Sequence, residues 1–310
     1  MRNQSILNEF LLSGLSDLPA LQLPLFLFFL LIYLLTLIWN LLIIVLIVTD
    51  SHLHIPMYFF IGNLASLDLC YSSLTVPRML FDLHTKTRKI SIQACITQVF
   101  FFILFASCED CLLSVMSYDR YTAICQPLHY TQIMSWKVCV QLASIAWCFS
   151  FINSLVHTLY AFKLTFCESD IIESFFCDLP QLFQISCSDI YINILLLFLL
   201  VGFLVVGSLI LTIPSYVYIF KTVFKMQAKG NRSKVFSTCT SHLAVMFLYY
   251  GSGIFNYVWQ SAGHHFPGDK VVAVFYTVIL PFLNPIVYSL RNQNIRTAFQ
   301  SVFRKIFSPN

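Results

Sequence analysis

The sequence predicts an all-α membrane protein: a seven-transmembrane helix bundle with an extracellular N-terminus and a short cytosolic amphipathic helix (helix 8) after the last span. Three observations carry this. Hydrophobic residues make up 58% of the 310 and charged residues 10%, where a soluble domain carries about 25% charged residues. Seven apolar stretches follow one another, each near the ~20 residues that cross a bilayer. The chain between them is too short and too apolar for a soluble enzyme in which these stretches would be core helices.

In order, residues 1–22 lack an apolar run, which argues against a cleavable signal peptide and leaves the first span as its own insertion signal. The spans read Leu23–Thr49, Met57–Leu80, Gln93–Met116, Val138–Phe162, Ile190–Phe220, Val235–Ala262 and Val271–Leu290. The first and the last four contain no Asp, Glu, Lys or Arg. The second carries Asp68 and, near its end, Arg78, and the third carries Glu109 and Asp110. The domain division is an extracellular segment 1–22, a seven-span domain 23–290 and a cytosolic tail 291–310. Within the tail, Asn292–Lys305 reads as a helix lying on the membrane. It would turn Phe299, Phe303 and Ile306 to lipid and Arg296, Arg304 and Lys305 to headgroups. No tandem repeat is visible, and the two halves show no pairing of interrupted helices, which weakens a transporter reading.

Basic residues orient the bundle. With the N-terminus outside, the cytosolic side holds Arg120, Lys137, Lys221, Lys225, Lys229, Arg232, Lys234, Arg291, Arg296, Arg304 and Lys305, 11 of the 18. Arg2, Arg78, Lys86, Arg88, Lys89, Lys163 and Lys270 stay outside. The acids Glu168, Asp170, Glu173, Asp178 and Asp189 all fall between spans four and five. The net charge of +4 thus reflects a basic cytosolic face, suited to lipid headgroups and to a protein partner. Nothing in it points to nucleic acid.

Of 11 cysteines, Cys95, Cys167, Cys177 and Cys187 fall on the outer side, where disulfides form. Four cysteines allow three connectivities. The other seven lie in spans or on the reducing side and read as packing residues. No zinc-type spacing is present, and His264-His265 reads as an ordinary exposed loop pair.

The motifs point to a family. Asp119-Arg120-Tyr121 after span three resembles the D-R-Y of rhodopsin-like G-protein-coupled receptors, and Asn284-Pro285-Ile286-Val287-Tyr288 their N-P-x-x-Y. More narrowly, the chain resembles a vertebrate olfactory receptor of the tetrapod-type branch. Pro56-Met57-Tyr58-Phe59-Phe60 is similar to that family's P-M-Y-F-F, and Met116-Ser117-Tyr118-Asp119-Arg120-Tyr121-Thr122-Ala123-Ile124-Cys125 to M-A-Y-D-R-Y-V-A-I-C. Ser215-Tyr216-Val217-Tyr218-Ile219 is similar to S-Y-x-x-I. Phe236-Ser237-Thr238-Cys239-Thr240-Ser241-His242-Leu243 and Pro281-Phe282-Leu283-Asn284-Pro285 complete the set. The resemblance covers nearly the whole chain. Trp39-Asn40 departs from the usual Gly-Asn, Ser117 and Thr122 replace Ala and Val, and Asp110 stands where an uncharged residue is usual. Span six has Tyr250-Gly251 where most rhodopsin-like receptors place Trp and Pro, so it lacks a proline kink.

The resemblance implies roles for particular residues. Arg120, neutralised by Asp119 at rest and followed by Tyr121, would meet a G protein when the helices separate. Tyr216, His242 and Tyr288, with Asn284 and Pro285, would form the switch around the open cytosolic cavity. Cys95 would pair with Cys177 and Cys167 with Cys187, tying an acidic loop over the pocket as a lid. Phe102, Ile103, Ala106, Leu200, Val201, Leu204, Ile254 and Val274 match apolar pocket positions, and Ser107, Tyr257 and Thr277 offer hydroxyls. Phe102 stands seven residues after Cys95, where amine receptors place an Asp, which disfavours a cationic amine. Asp68 and Glu109, near Asn40 and Asn284, either bind a sodium ion or share a proton. Asp110, about 100° round the helix from Glu109, joins this cluster or faces span five, and the sequence leaves both open.

The expected activity is that of an odorant receptor at the plasma membrane, with no enzymatic chemistry. A small, largely neutral volatile in the outer pocket would shift the population towards a state that activates a stimulatory, olfactory-type heterotrimeric G protein and raises cyclic AMP. An occupant of about ten heavy atoms binds in the micromolar range or weaker. The alternatives are the same fold as a non-olfactory chemoreceptor for a metabolite or lipid, and a channel or transporter. The last leaves Asp119-Arg120-Tyr121 and Asn284-Pro285 without a role. Two N-x-S sequons test the orientation: Asn3 would face the lumen and Asn231 the cytosol. Glycosidase treatment is expected to shift the electrophoretic mobility of wild type and Asn231→Gln but not of Asn3→Gln, and the reverse pattern would invert the topology.

Overall fold

The computed structural model describes residues 8–85, 88–167, 170–225, 229–254, 269–291 and 295–300. Its long helices are α1 (Pro19–Thr49), α2 (Pro56–Thr85), α3 (Ile92–Cys125), α5 (Trp136–Ala161), α7 (Tyr191–Lys225) and α8 (Lys229–Ile254). The last span is composite: α9 (Asp269–Val274), a π-helical turn Phe275–Ile279 and α10 (Leu280–Arg291). Two short helices lie in connections, α4 (Tyr130–Ile133) and α6 (Leu179–Gln184). Among the described residues six helices are long and apolar enough to cross a membrane. The seventh, α8, opens on the polar stretch Lys229-Gly230-Asn231-Arg232-Ser233-Lys234.

The exposure pattern of α1 is inverted relative to a soluble helix. Leu27, Leu31, Leu34, Ile38, Leu41, Val45 and Val48 recur every three or four residues and are all exposed, a stripe along one helix face. Phe29, Ile32, Thr36, Asn40, Ile43 and Leu46 form the buried face, and its polar members point inward. An apolar stripe of this length left bare is a surface for lipid. The same holds for Phe198, Phe203, Val206, Ile210 and Ile213 of α7.

Helix α3 is the axis of the bundle and packs against α2, α5 and α7. Its start is capped by Ser91, whose hydroxyl accepts from Ala94 N at 3.2 Å. It runs nine residues past the expected span end at Met116, so Asp119-Arg120-Tyr121 lies within continuous helix rather than at its terminus. The sequence expectation for Trp39 and the tail also resolves. Trp39 stacks on Phe299 with ring centroids 6.0 Å apart, within a helical stretch at 295–300 whose Ile295 and Ala298 are buried. Phe299 therefore faces the bundle and not lipid, because the indole in place of the usual Gly supplies a platform for it. Phe303 and Ile306 lie outside the described residues.

The end of the bundle at which α3 begins is closed by structure that the apolar pattern does not show. Strand β1 (Glu9–Leu12) sits between β2 (Lys89–Ser91) and β3 (Ile171–Ile172). It pairs antiparallel with β2, Phe10 opposite Ile90, and parallel with β3, Leu12 beside Ile172. Phe10 and Leu12 are buried and Leu11 is exposed, the period of two of a half-buried strand. Beyond the strand Gly14 takes φ +69°, and the Arg88 guanidinium folds over it. Arg88 donates to the Ser13 carbonyl at 2.5 Å and the Ser16 carbonyl at 2.9 Å, and pairs with Asp17. The hydrogen bond from Arg88 holds the Asp17 carboxyl below its usual range.

Two disulfides complete this cap, Cys95–Cys177 with Cα atoms 5.4 Å apart and Cys167–Cys187 with Cα atoms 5.9 Å apart. The segment they hold is apolar underneath: Phe175, Phe176, Leu179 and Leu182 are fully buried. Of the acids assigned to it, Asp178 is buried and caps α6 by accepting from Leu179 N at 2.7 Å. Asp170 and Glu173 lie on its exposed side, and Glu168 is outside the described residues.

Glycine substitutions separate the two environments. At Gly14 a Cβ would meet Arg88 Cζ at 3.0 Å on a left-handed backbone, whereas at Gly62 it would meet Ile47 Cδ1 at an ordinary 3.6 Å. Gly14→Ala is expected to cost about 1–2 kcal/mol and Gly62→Ala to be neutral or stabilising. Thermal unfolding of the purified protein in detergent checks this, and equal melting temperatures for both variants would refute the tether.

Candidate functional site

A cavity of about 220 Å³ lies between α3, α5, α7, α8 and the π-turn. Drug-sized sites span roughly 300–1,000 Å³, so this one suits a smaller occupant. Phe102, Ile103, Ala106 and Ser107 line it from α3, Val201 and Leu204 from α7 and Ile254 from α8. These seven were expected from the sequence. Leu200 is half-buried away from the cavity, Val274 packs beside it, and the Thr277 hydroxyl is buried and donates to the Ala273 carbonyl at 2.7 Å. Tyr257 lies outside the described residues, as do Asn3 and His264-His265.

The cavity also has lining residues that apolar patterning did not single out. Tyr71, His157, Tyr249, Tyr250 and Tyr276 all face it. Tyr276 is carried by the π-turn, and such turns often sit at functional sites. Phe176 closes the roof, with ring centroids 5.3 Å from Phe102 and 6.2 Å from Tyr276. Below it, Cys177 N donates to Gln98 Oε1 at 2.9 Å, so the disulfide is also pinned to α3 through its neighbour. The wall is cross-braced by Asn153 donating to Ser107 Oγ at 2.8 Å and by Tyr249 donating to the Ala106 carbonyl at 2.6 Å.

Glu109 and Asp110 form part of the lining of the cavity, both buried. They part company at once. Glu109 turns to α10, where Asn284 Nδ2 donates to Glu109 Oε1 at 3.3 Å and to Asp68 Oδ1 at 3.0 Å. Asp110 turns to α7 and α8, beside Ser208 and Tyr250. Both carboxylates thus accept from one amide nitrogen, while Asn284 Oδ1 has no hydrogen-bond partner. Asn40 does not join them: its amide donates to the carbonyls of Thr36 at 3.0 Å and Pro281 at 3.2 Å, which ties α1 to α10.

At the other end of α3, Asp119 is fully buried and holds Arg120 by an ion pair. Tyr130 of α4 donates to the second Asp119 oxygen at 2.8 Å. Burial and the adjacent Asp119 charge raise the Tyr130 phenol well above its ordinary value, so it stays a donor at any physiological pH. Tyr216 and His242 join across α7 and α8 through Tyr216 Oη and His242 Nδ1, 2.5 Å apart. His242 Nε2 and the Tyr288 hydroxyl are buried without partners. Tyr121 is directed elsewhere, its ring tilted 58° to that of Tyr218 with centroids 5.9 Å apart. Ser117, a mild change by sequence, contacts Thr212 Oγ1 at 3.2 Å and Met246 Sδ at 3.5 Å and so joins three helices.

The olfactory receptor family model matches residues 29–306. Human olfactory receptor 5B12 is 46% identical over 98% of this chain and 97% of its own length. The chain belongs to the olfactory receptor family. Mouse olfactory receptor 5B21 is 44% identical over 99% of this chain and 96% of its own length. Squid rhodopsin, at 17% identity, superposes with a TM-score of 0.67 over 94% of this chain and 88% of that one, which shows the seven-helix fold. The protein is thus a multi-pass membrane receptor that signals through a G protein on binding a small ligand, and not an enzyme.

In this receptor Asp119 holds Arg120 by an ion pair and accepts a hydrogen bond from Tyr130. Charge-assisted hydrogen bonds contribute about 1.5–3 kcal/mol each. Asp119→Asn is expected to raise ligand-independent signalling severalfold, and Tyr130→Phe to raise it less. Nucleotide exchange on the G protein in receptor membranes without ligand measures this, and an unchanged basal rate in Asp119→Asn at equal surface level would exclude Asp119 as a restraint on Arg120.

Proposed function

We propose that the receptor takes a small, largely neutral volatile into the cavity between α3, α5, α7 and α8 and activates a stimulatory G protein, raising cyclic AMP. The observation that carries this is the continuity of α3. One continuous helix lines the cavity with Phe102, Ile103, Ala106 and Ser107 and carries the Asp119–Arg120 pair towards its other end. A ligand that favours one arrangement of α7 and α8 against α3 biases the contacts of Ser117, Thr212 and Met246, and through them Arg120. The sheet and both disulfides lie at the end of α3 away from Arg120, which supports an N-terminus outside the cell and Arg120 at the cytosol. Arg120, Tyr216, His242 and Tyr288 then act as the switch that a G protein reads, with Asn284 and Pro285 in the wall beside it. A sodium ion held by Asp68 and Glu109 would supply the positive charge that two buried carboxylates need.

The test is a cyclic AMP readout in transfected cells with a surface-expression check. A panel of volatiles is expected to raise cyclic AMP in wild type and to lose at least about tenfold of that response in Arg120→Ala, as removal of a charged contact implies. Tyr257→Phe reports on the ligand site by a shifted dose curve. A response that survives Arg120→Ala would remove Arg120 from the coupling path.

A further inference from the structure

We propose that Asp110 is an ionic anchor for the ligand, and that the cavity takes a small apolar amine with its nitrogen directed at the Asp110 carboxylate. The proposal rests on the odorant-receptor reading of this cavity and replaces its largely neutral occupant with a basic one, against the expectation drawn from Phe102 alone. Asp110 lines the cavity, is only 4% exposed, and neither of its carboxylate oxygens has a hydrogen-bond partner.

The two hydroxyls beside Asp110 are engaged with each other and with the backbone. Tyr250 donates its hydroxyl proton to Ser208 Oγ at 2.8 Å, and Ser208 donates its own to the Val205 carbonyl at 2.9 Å. A hydroxyl has one proton to give, so Tyr250 and Ser208 stand next to Asp110 as polar neighbours with their protons directed elsewhere, and the unpaired His157 Nε2 faces the same cavity. Ser114 donates to the Asp110 backbone carbonyl at 3.0 Å and not to its side chain. Glu109, next along the chain, is bonded by Asn284 and turned to α10. Among the described residues no Lys or Arg lines the cavity. A buried carboxylate with no donor is costly, and a cationic N–H group from the ligand removes that cost.

The rest of the site fits the same molecule. Phe102, Ile103, Leu197, Val201 and Leu204 present hydrocarbon. Phe102 removes the anionic group from the level where amine receptors carry theirs. Eight residues on, about 12 Å along the helix axis, Asp110 places one at the floor. The occupant is therefore a compact alkyl or cycloalkyl amine inserted nitrogen first.

Matched pairs of volatiles test this: cyclohexylamine against cyclohexanol, and n-pentylamine against pentan-1-ol, on cells carrying wild type, Asp110→Asn or Asp110→Glu, with cyclic AMP and surface level read together. Wild type is expected to respond to each amine at a concentration at least about tenfold below that for its alcohol, the size of a charge-assisted hydrogen bond. Asp110→Asn is expected to abolish that preference and Asp110→Glu to retain it. Coincident amine and alcohol curves in wild type, or an amine preference that persists in Asp110→Asn, would overturn the anchor and leave the receptor reading intact. The wild-type comparison needs no variant, so it decides the matter even if Asp110→Asn fails to reach the surface. Silence of surface-expressed wild type to every volatile would count against the proposed function itself, and the anchor would fall with it.

Discussion

Hydrocarbon offers no water to a peptide group, so every polar atom inside this bundle must be satisfied by the chain itself. The backbone meets that demand by forming helices of 26 to 35 residues. The small hydroxyls meet it by turning back on their own helix. Thr36, Ser72, Ser117, Ser150, Thr158 and Ser215 each reach the carbonyl four residues earlier. What remains for helix-to-helix contact is a short set of longer polar side chains, and these place the helices relative to one another. Asn40 ties α1 to α10, Asn153 ties α5 to α3, Tyr249 ties α8 to α3, and Tyr216 with His242 ties α7 to α8.

Against that background, a buried polar atom with no partner is informative. Asn284 turns its amide nitrogen to two carboxylates and leaves Oδ1 unpaired, Tyr288 Oη and His242 Nε2 are buried without partners, and both Asp110 oxygens lie in the cavity wall. Asn40 Oδ1, Asn153 Oδ1 and His157 Nε2 share this state, so unpaired polar atoms run through the bundle. They are distributed along the interior rather than gathered in one place. That distribution suits a protein whose task is to relate events at its two ends.

The capped end shows a different balance. Outside the apolar spans the chain is held by a three-stranded sheet, two disulfides and the Arg88 contacts to Ser13, Ser16 and Asp17. The underside of the cap is aromatic and aliphatic, so Phe176 works as the roof of the cavity while the acids face away or cap a helix. Acidic composition described the loop as a whole and did not distinguish its two sides.

Seven spans, their order and the family were legible in the sequence because length and apolarity decide what a bilayer accepts, and because Asp119-Arg120-Tyr121 and Asn284-Pro285 recur as contiguous motifs. The family resemblance also made Phe102, Ile103, Ala106 and Ser107 legible as cavity residues on α3, and Val201 and Leu204 on α7, but not Leu197 or Val205. The strand at Glu9–Leu12 was not, since its partners are 80 and 160 residues away and four residues carry too little pattern. The π-turn that turns Tyr276 to the cavity, and Trp39 meeting Phe299, depend on how two helices approach. Asp110 is the clearest case. Its place one residue after Glu109 put it either in the Asn284 cluster or towards span five, and the rotation of α3 against α7 and α8 decided for Ser208 and Tyr250. Composition and local motifs determine which segments enter the membrane, whereas the facing of each polar side chain is set by helix rotation, a property of packing between segments that no single segment encodes.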